Sequence, residues 1–385
     1  MLDRIYLDNA ATSWPKPPNV VAELSRYYSE LGVAAGRGTS AIATEVDRTI
    51  EQCRSAIAKL INCDSKHVVF AFNGTDAINM ALHGLIENSD GVVTSAIEHN
   101  SVLRPLKHLE RNGQINLSIA DAPDGIISLD HLKQLIRPST KLCCVSQASN
   151  VTGLVQPVLE IAKLCKANDV MLVIDAAQSV GHLPVDFQEL GCDVLVASGH
   201  KGLLGPLGTG FLCLSKRAAN QIKPTRQGGT GTQSELVEQP NELPFRLESG
   251  NLNVGGIFGL LAGINFITET GIDALQTHER TLRDQLLDNI RRNDSILVHG
   301  QEPENRTGVI SFNIVGQDCH TVAATLDSAF AIQVRAGLHC APLVHDSIGS
   351  SKFNGTIRIS PGAFSTQQQI EYVLDAINKL TTQLV

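Results

Sequence analysis

Six short runs of almost uninterrupted apolar residues recur through the first half of the chain, at 67–72, 91–95, 141–146, 170–174, 194–197 and 210–214. A strand that faces water on one side alternates apolar and polar residues; a strand without that alternation is buried on both faces. Helix-like segments lie between several of the runs. Residues 43–61 place Val46, Ile50, Cys53, Ile57 and Leu60 on one stripe, residues after 75 repeat the pattern with Ile78, Ala81, Leu82 and Leu85, and 157–168 carries Val158, Ile161, Ala162 and Cys165. Buried strands alternating with amphipathic helices predict an α/β fold built on a large, mainly parallel sheet covered on both faces.

The rhythm changes at 227–256, a polar, Gly- and Pro-containing stretch that reads as a long loop. Beyond it come a helix-like segment over 257–293, strands near 295–299 and 308–314, a helix over 319–328, strands near 331–335 and 356–360, and a last helix with Ile370, Val373, Ile377, Leu380 and Leu384 on one stripe. The expected organisation is an N-terminal segment 1–20 packed on the small domain, a large domain 21–256, and a smaller α+β domain 257–385. No internal repeat or low-complexity tract interrupts it.

Composition excludes several classes. With 385 residues, 43% hydrophobic and 18% charged, the chain is too apolar for disorder and long enough for a sizeable core. A net charge of −8 with no long basic run argues against nucleic acid as partner. No run of about 18 apolar residues predicts a membrane span, and MLDRIYLDNAATSWPKP has no apolar signal-peptide core. Nine cysteines, an odd number with no CxxC pair, read as free thiols in a reducing cytoplasm. For those in apolar surroundings, such as Cys53, Cys143, Cys144 and Cys213, the ordinary reading is a small packing residue.

Ligands of an open α/β sheet bind beyond the carboxyl ends of its strands. The polar residues at those ends are Asn73, Gly74 and Thr75 after the first run, Glu98, His99 and Asn100 after the second, Asn150 after the third, Asp175 and Gln178 after the fourth, and Ser198, His200 and Lys201 after the fifth. Each alone has an ordinary reading: Thr75 a helix N-cap, His99 a satisfied loop histidine, Asp175 a turn cap, Lys201 a surface lysine. Together they describe a chemistry. A lysine desolvated at a strand end has a neutral amine able to form a Schiff base. A carboxylate on the adjoining strand suits a pyridinium nitrogen, the electron sink of pyridoxal 5'-phosphate (PLP). Gly-Thr at a helix N-terminus suits a phosphate, and His99 suits ring stacking and proton relay. No P-loop is present, and the glycine clusters at 205–210 and 228–231 read as turns.

At this point a family resemblance enters. YLDNAAT (6–12), NGTDAIN (73–79), EHNS (98–101), SNVTG (149–153), DAAQS (175–179), SGHKGLLGP (198–206) and RAGLHCAP (335–342) resemble the class V aminotransferase group of fold type I PLP enzymes. Within it they look most like the PLP-dependent cysteine desulfurases of the shorter-loop, SufS-like type, whose near relative is selenocysteine lyase. The resemblance implies that Lys201 carries the cofactor as a Schiff base, Asp175 pairs with the pyridine nitrogen, Gln178 contacts the ring oxygen and His99 stacks on the ring. It implies that Gly74, Thr75, Ser198 and His200 hold the phosphate. It further implies that Asn150 and Arg358 bind the substrate carboxylate, and that Cys340 is the nucleophile on a loop with Arg335 at its base.

On that reading the chain turns L-cysteine (or L-selenocysteine) into L-alanine, leaves a persulfide on Cys340, and passes sulfur to an acceptor protein for iron–sulfur or thio-cofactor assembly. No metal is implied. The thiolate is the reactive form, and His339 and Arg335 stand close enough in sequence to offer it positive charge. His339 tunes Cys340 or only shapes the loop. Two positions depart from the family pattern. Asn251 stands where a Thr usually reaches the phosphate of the neighbouring subunit, a contact an amide can also make; the homodimer itself is what the family resemblance implies. GRGTS (36–40) lacks a histidine often found just after Arg37. Three alternatives stay open: selenocysteine lyase, another class V enzyme such as a transaminase or epimerase, and a non-enzymatic scaffold or sulfur acceptor.

Overall fold

A computed structural model describes residues 4–382 apart from 37, 233, 234, 236 and 301–305. Arg37 and Leu384, both named above, lie outside the described residues.

The strands in chain order are β1 (Ile5–Tyr6), β2 (Val68–Ala71), β3 (Asp90–Ser95), β4 (Ile115–Ala120), β5 (Thr140–Ser146), β6 (Met171–Asp175), β7 (Val194–Ser198), β8 (Gly210–Leu214), β9 (Ile296–His299), β10 (Ile310–Ile314), β11 (Ile332–Gln333), β12 (Arg335–Gly337) and β13 (Thr356–Ile359). The helices the site depends on are α1 (Gly74–Leu85), α2 (Asn100–Arg111), α3 (Val254–Thr270), α4 (Ile272–Ile290) and α5 (Cys319–Phe330).

Seven strands form the large sheet in the order β2-β8-β7-β6-β5-β3-β4. All neighbours pair in parallel except those of β8, which is antiparallel to both β2 and β7. β2 therefore runs with the parallel set, and its carboxyl end lies on the same edge. Successive residues of a strand enter two different cores. Leu172 and Ile174 belong to one cluster, Met171 and Val173 to the other. That two-sided burial is why these strands read as continuous apolar runs. β4, an edge strand, was not visible as such a run. Its Asn116 is exposed and only Ile115 and Ala120 are buried.

A second, antiparallel sheet of order β12-β13-β10-β9 has its own core, which includes Leu7 from the N-terminal segment. β1 pairs in parallel with β11. The helix read over 257–293 is two helices bent by 83°. Gly271 makes the break at φ +88°, a backbone region natural to glycine. Ile257, Phe258, Ile264 and Ile267 of α3 join the large-sheet core, whereas Leu282 and Leu286 of α4 join the small one. Leu275, past the bend, still joins the large-sheet core, so the change of core comes within α4, between Leu275 and Leu282. No helix among the described residues is long and apolar enough to cross a membrane.

Candidate active site

The carboxyl ends of β2, β3, β5, β6 and β7 meet the small unit around a cavity of about 570 Å³. Its walls include Gly74, Thr75, His99, Asn150, Gln178, Ser198, His200 and Lys201 from the large unit. Arg335 and Arg358 come from the small unit. Ten of the residues expected from sequence are thereby brought to one place, and Asp175 and Cys340 adjoin it through their contacts.

Lys201 follows β7 by three residues. Burial lowers the pKa of its ammonium, and the charge of Asp175 opposes that shift. Asp175 ends β6, buried, with Oδ1 accepting from Ala177 N–H at 2.9 Å. Burial raises its pKa, and Lys201 pulls the other way. Gln178 Nε2 donates to the Ala10 carbonyl at 2.9 Å, which brings the N-terminal segment to the cavity wall.

At the start of α1 the N-cap is Asn73, whose Oδ1 accepts from Asp76 N–H at 2.9 Å. Thr75 is therefore not the cap, and its exposed side chain lines the cavity. Gly74 is required by close approach: a Cβ there would stand 2.5 Å from Ser198 Oγ. Backbone N–H groups at the α1 N-terminus, the Thr75 and Ser198 hydroxyls and the His200 ring thus share one recess, a favourable place for an anion. Burial pushes His200 down to about 4, so its ring is neutral at pH 7. Its buried Nδ1 has no partner within the described residues.

His99 is the N-cap of α2 and its Nδ1 accepts from Ser101 N–H at 3.0 Å. Burial pushes its pKa down to about 4, with Lys201 and Arg335 adding to the shift. The ring is neutral, and an accepting Nδ1 leaves the proton on Nε2. Behind it lies Glu98, fully buried, which accepts from Ser95 Oγ at 2.5 Å and from Ser146 N–H and Oγ at 3.1 and 2.6 Å. Burial raises its pKa to about 7. Glu98 joins the ends of β3 and β5, a structural place that strand-end position alone did not distinguish from ligand contact.

The small unit supplies two arginines and a cysteine. Arg335 Nη2 lies 3.3 Å from Cys340 Sγ. Arg358 is buried, donating from Nη1 to the Asn150 carbonyl at 2.9 Å and from Nη2 to Asp8 Oδ1 at 2.6 Å. Asn150 Nδ2 donates to the His339 carbonyl at 2.6 Å, so one of its amide hydrogens already holds the cysteine loop. His339 itself is turned toward Thr356, within 3.0 Å of its carbonyl and 2.9 Å of its Oγ1. Burial drives its pKa well down, so it is neutral. Of the two residues offered as a source of positive charge for the thiol, Arg335 is placed to act and His339 shapes the loop.

Asn251 is not brought to this cavity within the chain. It is exposed and borders a separate cavity of about 530 Å³ alongside Arg54, Thr230 and Glu248. Seven of the other cysteines are buried and Cys63 is half-buried. Burial raises the thiols of Cys53, Cys144 and Cys192, among others, which keeps them protonated. The sequence reading missed Ala10, Ala11 and Asp8. All three lie within YLDNAAT, which was placed on the small domain but not at the site.

Residues 5–373 match the family model for class V aminotransferases. A probable cysteine desulfurase of Methanothermobacter thermautotrophicus is 33% identical over 383 residues, covering 98% of this chain and 95% of the relative. The apo structure of a cysteine desulfurase from Thermococcus onnurineus NA1 superposes with a TM-score of 0.92 at 31% identity, covering 99% of this chain and 95% of that one. An Escherichia coli cysteine desulfurase structure gives a TM-score of 0.88 at 25% identity, with 99% and 95% covered. Fold, cavity and similarity agree: the chain belongs to the class V aminotransferase family, and within it to the PLP-dependent cysteine desulfurases.

Proposed function

We propose that the chain removes sulfur from L-cysteine, leaving it as a persulfide on Cys340 and releasing L-alanine. The observation that carries this is the Arg335–Cys340 contact of 3.3 Å at the mouth of a cavity that also holds Lys201.

The residues fit PLP. Lys201 offers a desolvated amine, Asp175 a buried carboxylate, Gln178 an amide, and the Gly74–Ser198 recess a phosphate site that a Cβ at 74 would fill. When bound, that cofactor supplies an electron sink for negative charge at the substrate α-carbon. Lys201 Nζ, whose burial favours the neutral amine, is the group placed to take the α-proton. His99 keeps its ring neutral and its Nε2 proton toward the cavity, which suits stacking and proton return. Arg358 and the second Asn150 amide hydrogen orient the substrate carboxylate.

Cys340 Sγ then attacks the substrate sulfur as thiolate. The S–S bond forms as the substrate's Cβ–S bond breaks, and the freed carbon takes a proton to end as L-alanine. Arg335 Nη2, 3.3 Å from Sγ, places a positive charge beside the reacting sulfur. The persulfide is suited to an acceptor protein in iron–sulfur or thio-cofactor assembly, in the cytoplasm. A homodimer is supported by Asn251, which is exposed and lies outside the Lys201 cavity of its own chain.

Mass spectrometry of Cys340 after incubation of the PLP-loaded protein with L-cysteine tests the proposal. One added sulfur on Cys340, with alanine in solution, is expected. Sulfide release from cysteine at the wild-type rate by Cys340→Ala overturns it. Retained selenide release from selenocysteine by the same variant, with sulfur release lost, is consistent with it, because selenium leaves without a thiol.

A further inference from the structure

The N-terminal segment does more than cover the small unit. Residues 5–10 belong to that unit. Ile5 and Tyr6 pair with Ile332 and Gln333, Leu7 is fully buried in its core, and Asn9 Nδ2 and Ala10 N–H donate to Ser360. Residues 10–16 belong to the large unit. The Ala10 carbonyl accepts from Gln178. The His200 carbonyl accepts from Ser13 N–H at 3.0 Å, Thr12 Oγ1 at 3.1 Å and Lys16 Nζ at 2.9 Å. One short strand therefore bridges the residue before Lys201 and the sheet that carries Arg358.

Asp8 sits at the middle of that bridge. Its carboxylate is the one ion-pair partner of Arg358 among the described residues, at 2.6 Å. Arg358 is 1% exposed, and it is gripped at Nη1 by the Asn150 carbonyl and at Nη2 by Asp8. Its buried Nε has no partner. A long arginine side chain has considerable rotamer entropy to lose when it is ordered. A guanidinium that must meet a carboxylate in one plane gains most when its orientation is fixed beforehand.

We infer that Asp8 is a positioning residue of the substrate site, fixing the plane of the Arg358 guanidinium so that its unpartnered N–H groups face the substrate carboxylate. This rests on the reading of Arg358 as the carboxylate-binding residue. Asp8 itself touches neither substrate nor reacting atoms. Two effects of its removal oppose each other. Loss of the anchor loosens the guanidinium, whereas loss of a negative charge makes Arg358 more attractive to an anion. The anchor dominates because Nη2 is buried and has no other acceptor among the described residues.

The test compares Asp8→Ala with Asp8→Asn in the PLP-loaded protein. Asn keeps an oxygen that accepts from Nη2 and removes only the charge. The expected result is a KM for L-cysteine raised about tenfold by Asp8→Ala, the size of one lost charge-assisted hydrogen bond. kcat should stay within about twofold, and Asp8→Asn should lie within about threefold of wild type. The inhibition constant of L-alanine should rise in step with KM, and that of cysteamine, which has the amine and thiol but no carboxylate, should not. A KM unchanged or lowered in Asp8→Ala, or equal losses for alanine and cysteamine, overturns the inference. Where Asp8→Ala does not fold, Asp8→Ser, too short to reach Nη2, replaces it under the same criteria. Arg358→Lys separates the two readings: if it leaves the KM unchanged, the carboxylate role of Arg358 fails; if it raises KM and Asp8→Ala does not, only the role of Asp8 fails.

Discussion

Glu279→Ala should destabilise the protein in a pH-dependent way, and the sign follows from the structure. Glu279 lies on α4, beyond the bend, and its Oε2 is 2.9 Å from Nδ1 of His182, which follows Asp175 by seven residues. Both side chains are buried. The His182 ring packs on Gly202, where an added Cβ would come 2.7 Å from Cδ2, so the pair ties α4 to the residue after Lys201. Burial disfavours the imidazolium, but the charge of Glu279 and its hydrogen bond outweigh that, and the pKa of His182 lies above its ordinary value. Removing one partner of a buried pair costs about 3–5 kcal/mol, and since histidine can shed its proton the lower figure, about 3 kcal/mol, applies. At about 2.1 cal/mol/K per residue, 385 residues give an unfolding entropy of about 0.8 kcal/mol/K. The expected loss in Tm is then about 4 °C. A histidine whose folded pKa is raised contributes its full stability below the unfolded value of about 6.5 and loses it as pH rises through the folded pKa. Thermal melts of wild type and variant should therefore differ most below about pH 6.5 and draw together as pH rises through the raised folded pKa of His182. A gap that is constant or widens with pH refutes the argument.

Three other outcomes follow from the same geometry. Gly74→Ala should leave the fold intact but displace Ser198 Oγ, 2.5 Å from the new Cβ, and weaken PLP uptake by the cofactor-free protein about tenfold in an absorbance titration. Gly181→Ala should fail to give soluble protein, because φ is +87° and its Cβ would stand 2.2 Å from the Gly202 carbonyl oxygen, a backbone-on-backbone clash added to about 1–2 kcal/mol of left-handed strain. Asn150→Ala removes the 2.6 Å bond to the His339 carbonyl. It should speed amide exchange across 338–341 about tenfold as well as lowering turnover, and unchanged exchange speaks against it.

The legible parts of this chain are those where one physical cause dominates a segment. Strands buried on both faces must be apolar throughout, so β5, β6 and β7 announce themselves. Their polar terminal residues then mark the ligand edge without any knowledge of side-chain direction. β4 was lost because an edge strand exposes Asn116 and breaks the run. The bend at Gly271 was lost for the opposite reason. The first part of α3, through Ile264, is enclosed and apolar on all sides, with Gly263 within 2.4 Å (as an added Cβ) of the Leu203 carbonyl, and its exposed polar end, Asn265 and Thr268 to Thr270, runs straight into the mixed pattern of α4, so no change of face marks the break. Proximity in sequence correctly suggested Arg335 as the neighbour of Cys340 but equally suggested His339, and only backbone dihedrals separate them. Asp8 was read as part of a motif, yet its partner Arg358 is 350 positions away, a separation at which a single sequence carries no signal of contact.

Those dihedrals bear on how the sulfur is carried. His339 and Cys340 are consecutive non-glycine residues at φ +48° and +61°, a conformation that costs about 1–2 kcal/mol per residue. Their carbonyls are held by the large unit: Asn150 Nδ2 donates to His339 O at 2.6 Å and Asn100 N–H to Cys340 O at 2.7 Å. Within the small unit, the His339 contacts with Thr356, the Ala341 N–H bond to Leu338 O and the Arg335 contact with Cys340 Sγ support the turn. At about 1 kcal/mol each, the two bonds from the large unit are close to the strain they oppose. The conformation that sets Sγ beside Arg335 is thus a property of the junction between the units and not of the loop alone. On the function proposed above, the Cys340 thiol meets a substrate inside the cavity and then presents its sulfur to an acceptor outside, and that task needs this kind of balance. Bonds much stronger than the strain would fix the sulfur inside, and much weaker ones would never bring Cys340 to the substrate.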